Sequence, residues 1–433
     1  MVAPGAGSGG GPAVTTLDSG VRVVTESMDS VRSAALGFWI GTGSVLEPEP
    51  QAGLSHLLEH MLFRGTARFG SLEIDQLFDG MGAEVNAGTG KETTSLYTRV
   101  LDARLPEAFD VMADMVWRPS VTDEDLANER EIVLEEIAMY EDDPQDKVFD
   151  VLGEAVFGAH PLGRAIIGRA EVVGGSRADA MRRFHAERYV PGNVVIAAAG
   201  SVDHDALVAL AEAVPVPEPR AVPAVPAPPS EAPPRVLFHA KDTEQYHVCL
   251  GAPGLARDDE RRHALRVLDA VLGGSSSSRL FQEVRERRGL AYSVYTFQAL
   301  YAGTGQVGLY VGTRPENVGE AMRVVADELE RVVAEGVSEE EVERAKENVK
   351  GRLVLSLEST SARMNRLGSS LLAGLPLLTV DEVVDRVDAV GPEDVSALAA
   401  ELFAPGRLSA AGIGEDEDAF RAALAPLSPA LSP

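Results

Sequence analysis

The sequence predicts an α+β protein of two related domains, each a mainly antiparallel sheet packed with helices, and three observations carry that expectation. Short runs such as VRVVTES and NVVIAAAG have the composition and period of strands. Longer helix-period runs alternate with them in both halves of the chain. Between the halves, Val214 to Arg235 carries prolines at 215, 217, 219, 223, 226, 228, 229, 233 and 234, so it can sustain neither a helix nor a central strand and reads as an extended linker. The expected layout is a leader over 1–13, an N-terminal domain over 14–213, the linker over 214–235 and a C-terminal domain over 236–433. The Gly-, Ala- and Pro-rich leader has no basic start and no apolar run long enough for a signal peptide or a membrane span.

At 433 residues the chain is long enough for large apolar cores. Its 39 basic and 67 acidic residues give a net charge of −28, which argues against nucleic acid or an anionic membrane as principal partner and favours basic or neutral ones. One cysteine, Cys249, excludes an intrachain disulfide and a cysteine cage for zinc, so the eight histidines and the carboxylates are the available metal ligands. A single cysteine also points to a reducing, cytoplasmic location.

The first chemical signal is GLSHLLEHMLFRGT, beginning at Gly53. Leu54, Leu57, Leu58, Met61 and Leu62 recur at the spacing of a helix core stripe. His56, Glu59 and His60 then share another face. Two imidazoles one turn apart can converge on one ion, while Glu59 projects beside them without having to be a ligand. This H-x-x-E-H order is the inverted form of the H-E-x-x-H zinc motif. Two histidines leave such a site short of one protein ligand, because catalytic zinc takes three and keeps a position for water. The acidic run NEREIVLEEIAMYEDD offers candidates: Glu129 and Glu136 are nearly two turns apart and share a face, whereas Glu135 points about 100° away. Periodicity alone does not choose among them.

The two halves also resemble each other. LANEREIVLEE from Leu126 and VERAKENVKGR from Val342 follow the acidic helix starts TDED and SEEE, and GLSHLLEHML can be laid over HALRVLDAVL from His263. On this alignment Arg266, Asp269, Ala270, Ala345 and Arg352 face His56, Glu59, His60, Glu129 and Glu136. The second half cannot bind zinc at those positions.

Taken together, these segments resemble the pitrilysin/insulinase zinc metallopeptidases, particularly the half-length branch that includes mitochondrial processing peptidase and its bacterial relatives. The resemblance runs from LDSGVRVVTE through GFWIGTGS, HLLEHMLFRGT, GAEVNAGTGKETTSLYTRVL, HPLGRAIIG, FHAERYVPGNVVIAAAG and SRLFQEVRERRGLAYSVYT to LVLSLESTSARMNRLG. It implies one Zn2+ per chain held by His56, His60 and Glu136, with Glu59 as the catalytic acid/base and Glu129 supporting a ligating imidazole. It further implies that Arg285 and Tyr292, in RERRGLAY, hold substrate backbone and help stabilise the reacting carbonyl. Asn86 and Ala87 fall on the family's substrate-docking edge strand, where backbone pairing binds extended peptides with little dependence on side-chain sequence. Gly88 departs from the aromatic residue that often follows that pair, and Tyr97 fits the next strand.

The activity implied is a zinc-dependent endopeptidase acting on unfolded or short peptides, with basic peptides favoured by the net charge. The chain is the size of half of the family's two-part chambers, which implies a homodimer or a heterodimer with a related subunit. A non-catalytic peptide-binding or scaffold subunit of the same fold is the alternative, and a zinc hydrolase of small molecules is a second enzyme reading. Two G-x-G-x-x-G runs, from Gly5 and Gly303, do not open helices after strands and carry no nucleotide signal. GGSSSS from Gly273 lacks a P-loop lysine. His160, His185, His204, His239, His247 and His263 show no metal spacing.

Overall fold

Strand-like runs of the sequence form a six-stranded and a five-stranded sheet, with the helix-period runs packed on them. The computed structural model describes residues 11–230, 232–404, 406–428 and 431. The first half contains β1 (Ala13–Thr16), β2 (Arg22–Ser27), β3 (Ser33–Ile40), α1 (Leu54–Met61), α2 (Ser71–Met81), β4 (Val85–Thr89), β5 (Thr94–Leu101), α3 (Leu105–Trp117) and α4 (Asp123–Asp142). It continues with α5 (Pro144–Phe157), α6 (Ala170–Gly174), α7 (Ala178–Arg188), β6 (Val194–Gly200) and α8 (His204–Ala213). The second half adds β7 (Val236–Ala240), β8 (Tyr246–Gly254), α9 (Arg262–Leu272), β9 (Ala291–Tyr301), β10 (Thr304–Thr313), α10 (Val318–Glu335) and α11 (Glu339–Ser356). Last come α12 (Thr360–Leu372), α13 (Val380–Asp388), α14 (Pro392–Leu402), β11 (Ser409–Gly414) and α15 (Glu417–Leu424). Most of the expected leader lies outside the described residues, and Ala13 already belongs to β1.

The first sheet runs β1-β2-β6-β3-β5-β4 and the second β7-β11-β8-β10-β9. In each, one pair is parallel, β2 with β6 and β7 with β11, and the rest are antiparallel. Removing β1 makes the two sheets identical in order, direction and sequence of connection, so the repeat suggested by the helices extends to the strands. β4 and β9 are the corresponding edge strands.

The compact units are not the two halves of the sequence. Unit 1 comprises 1–135, 166–226 and 354–379, and unit 2 comprises 136–165, 227–353 and 380–433. This corrects the expectation of two consecutive domains. A sheet has two faces to cover, and each receives one covering helix from the other half of the sequence. In unit 1, α12 brings Met364 and Leu367 onto Val24, Ala35, Val195, Ala197 and Ala199, with Trp39 and Tyr97 at the margin. On the other face, the Phe38 and Phe109 rings of β3 and α3 meet at 5.6 Å between centroids. In unit 2, Phe149 of α5 stacks on Tyr310 at 5.8 Å and meets Phe297 edge-on at 5.1 Å. The opposite face of that sheet, with α9, α10 and α14, forms the unit's large apolar core.

Gly368 of α12 lies tight against the first sheet, where an added Cβ would be 2.2 Å from the Trp39 indole. Gly368→Ala is therefore expected to destabilise the protein by about 1–3 kcal/mol through overpacking. A urea midpoint unchanged from the wild type would contradict this reading. The proline-rich stretch forms no helix or strand among its described residues, and the second segment of unit 1 ends inside it at Pro226.

Candidate metal centre

Helix α1 starts where only glycine fits. Gly53 has φ +104°, and a Cβ there would lie 2.8 Å from the Ile167 carbonyl oxygen. The buried Glu47 carboxylate accepts the backbone N–H groups of Gly53 at 2.8 Å and Ser55 at 2.6 Å, satisfying donors that a helix start leaves open. Leu54, Leu57, Leu58, Met61 and Leu62 are all buried, as the stripe predicts. This anchoring leaves His56, Glu59 and His60 half-buried on another face.

Helix α4 begins at a cap in which the Thr122 hydroxyl accepts the Asp125 N–H at 3.0 Å. Three acidic residues in its first turn suit the positive helix end. The helix then runs unbroken through Glu129, which is buried, Glu135, which is exposed, and Glu136, which is half-buried. His56, His60 and Glu136 each present one donor atom, and these atoms lie within 4.8 Å of one another. They are the one such set found among the described residues. Two imidazole nitrogens and one carboxylate oxygen suit zinc in tetrahedral coordination with a fourth position open. Tertiary placement thus decides between the carboxylates that periodicity left open: Glu136 joins the histidines, and Glu135 faces solvent.

Local electrostatics suit metal binding. The two imidazoles are 4.7 Å apart between ring centroids. Burial first, and the neighbouring His60 second, push His56 down to about 4, so it is neutral at pH 7. His60 Nδ1 lies 3.1 Å from Glu129 Oε1. An ionised carboxylate only accepts, so Nδ1 carries the proton and Nε2 keeps its lone pair for a metal. Arg64 Nε donates to the other oxygen, Oε2. Burial opposes ionisation of Glu129, but the bonds from His60 and Arg64 outweigh it and hold its carboxyl below the usual range. Glu59 Oε2 accepts a hydrogen bond of 2.5 Å from the Thr89 hydroxyl on β4. Sequence reasoning singled out neither Thr89 nor Arg64; the signal available for Arg64 was its position four residues after His60.

Neutral buried histidines also set a pH dependence. An unfolded chain protonates its imidazoles near pH 6.5, whereas folded His56 and His263 do so only near 4. Between those values the unfolded state binds more protons, so stability falls as the pH falls. The urea midpoint of the metal-free protein is expected to drop steadily from pH 7 to about pH 4.5, and a flat midpoint over that window would contradict the assignment.

Asn86 and Ala87 sit on β4, the edge of the first sheet, opposite Tyr97 and Leu96 of β5. Asn86 is exposed, and a Cβ on Gly88 would meet nothing within 4 Å. The position where the resemblance leads one to expect an aromatic side chain is therefore open space. In unit 2, Arg285 and Tyr292 come together, with the guanidinium 4.5 Å from the Tyr292 ring centroid and 4.7 Å from that of Phe281. Unit 2 also repeats one feature of the first site: Asp269 on α9 accepts a 2.6 Å bond from Thr296 on β9, as Glu59 does from Thr89. Arg266 and Ala270 stand on α9, and Ala345 and Arg352 on α11, where the alignment put them.

A two-unit α+β fold with an inverted histidine pair and a carboxylate on a neighbouring helix defines the class of insulinase-type peptidases. The chain belongs to peptidase family M16. The family model described as insulinase matches residues 22–170, and the model described as the M16 inactive domain matches 177–349. A protein of Streptomyces coelicolor named an uncharacterised zinc protease is 44% identical over 418 residues, covering 94% of this chain and 91% of its own. The uncharacterised zinc protease YmxG of Bacillus subtilis is 40% identical, covering 90% of this chain and 95% of its own. Among solved structures, a protease from Helicobacter pylori has the same fold at a TM-score of 0.89 and 21% identity, covering 93% of this chain and 99% of its own. No helix among the described residues is long and apolar enough to cross a membrane.

Proposed function

We propose that this protein is a zinc-dependent endopeptidase that hydrolyses peptide bonds of unfolded or short, preferentially basic peptides. The observation that carries the reading is the convergence of His56, His60 and Glu136, with Glu59 one residue before the second histidine. A zinc ion, which His56, His60 and Glu136 would hold, would supply Lewis-acid polarisation of the scissile carbonyl and lower the pKa of a water molecule. Glu59, whose Oε2 accepts a hydrogen bond from Thr89, would take the proton of that water and deliver it to the departing amine. An extended substrate adds to the free edge of β4 beside Asn86 and Ala87, where main-chain pairing supplies affinity and the open position at Gly88 imposes no side-chain clash. To Arg285 and Tyr292 we assign the holding of substrate backbone, the role the resemblance implies and one suited to the contact between their side chains.

Metal analysis of the purified protein together with digestion of a mixed peptide library tests the reading. One zinc per chain and internal peptide cleavage are expected. Bound zinc without peptide cleavage would favour a hydrolase of small molecules, and peptide binding without zinc or cleavage would favour a scaffold. Raising the salt concentration should erase a preference for basic over acidic peptides. We further propose that the active form is a cytoplasmic dimer, homodimeric because one sequence carries both the zinc set and the Arg285/Tyr292 pair. An active monomer in sedimentation would refute this.

A further inference from the structure

We propose that Arg64 is a positioning residue for the metal centre: by occupying Oε2 of Glu129 it leaves Oε1 to His60, and so fixes the tautomer and ring orientation with which His60 meets the ion. This inference rests on the zinc reading above.

Three side chains make the device. Glu129 comes from α4 and exposes only 5% of its side chain, while Arg64, just past the end of α1, remains 31% exposed. His60 and Arg64 stand four residues apart in sequence, so one short segment supplies a donor to each oxygen of a single carboxylate from another helix. The guanidinium suits this task because its donors lie in a plane. Its long aliphatic stem reaches the buried oxygen from a surface position.

Removing the guanidinium leaves Oε2 buried and without its donor. A buried carboxylate oxygen in that condition is costly, so the group has reason to rotate. Rotation in one direction brings Oε2 to His60 and changes the tilt of the imidazole. Rotation in the other turns the carboxylate away from His60, and with zinc bound it would offer the ion a competing oxygen ligand. In the first case the Nδ1–H bond is re-aimed and in the second it is lost, so in both Nε2 is no longer held in its present orientation. Arg64 therefore acts on the ion through Glu129 and His60 without touching it.

The test compares Arg64→Leu, Arg64→Gln and Arg64→Lys with the wild type in two measurements. The first is zinc affinity by competition with a chelator. The second is the tautomer of His60 in the metal-free protein, read by nitrogen NMR on histidine-labelled samples at pH 8. Expected are a 10–100-fold loss of zinc affinity in the Leu and Gln variants, substantial recovery in the Lys variant, and a His60 signal that changes from the single Nδ1–H form to a mixture. Unchanged affinity and an unchanged tautomer, with only a lower melting temperature, would overturn the proposal and leave Arg64 a structural ion pair. Should the Leu variant not fold, the Gln and Lys variants decide the matter alone. Wild-type protein that binds no zinc would defeat the zinc reading, whereas the tautomer in the metal-free protein still judges Arg64.

Discussion

Glu59→Gln is expected to keep one zinc per chain and to lose peptide hydrolysis by a factor of about 10²–10⁴, the usual contribution of a general acid/base. The glutamine side chain has the same length and shape, and its amide oxygen can still accept the hydrogen bond that Thr89 now gives to Glu59 Oε2. Nothing in the ligand set His56, His60 and Glu136 is altered. What would disappear is the basic oxygen to which we assign the proton of the attacking water. Metal analysis beside a turnover assay separates the outcomes: retained turnover means that Glu59 is not the base, and lost zinc means that it is a ligand.

His56→Ala is expected to abolish zinc binding, lowering affinity by at least about a hundredfold, the upper end of what losing an outer hydrogen-bond partner of a metal ligand costs. One imidazole and one carboxylate do not complete a zinc site, which needs three protein ligands to set its geometry. The half-buried ring contributes little to the core, since the stripe of Leu54, Leu57, Leu58 and Met61 anchors α1 from its other face. The variant should therefore fold. Arg266→Ala, at the matching position of the second unit, is the control and should leave zinc content unchanged. Equilibrium dialysis with metal analysis checks both, and zinc retained by His56→Ala would remove that residue from the centre.

Much of this was legible in the chain itself. The core stripe of α1 and the facing set His56, Glu59 and His60 follow from a period of 3.6, and the acidic starts of α4 and α11 follow from cap chemistry. Thr122 and Ser338 both cap in this way, Ser338 through a hydroxyl that accepts the Glu341 N–H at 3.3 Å. Such features depend on residues close in sequence, so local steric and hydrogen-bonding rules suffice to read them.

Other features needed the folded molecule. Period placed Glu129 and Glu136 on one face of α4 but could not say which carboxylate meets a single imidazole from α1 and which comes close to both. That choice is made by the distance between two helices sixty residues apart in the chain, where Glu129 contacts His60 and Glu136 joins both histidines. The roles of Thr89 and Arg64 needed the fold for the same reason, since each donates to a carboxylate brought to it by another element. The exchange of α5 and α12 between the halves was equally hidden: a helix stripe records that a face must be buried, but burial is non-directional and does not name the sheet that buries it. Sequence alone determined the chemistry available to this protein, namely two imidazoles and an acid on one short helix and a repeat that lacks them. Tertiary structure decided which distant acid completes the set, because only packing fixes the separation of groups that no short stretch of backbone connects.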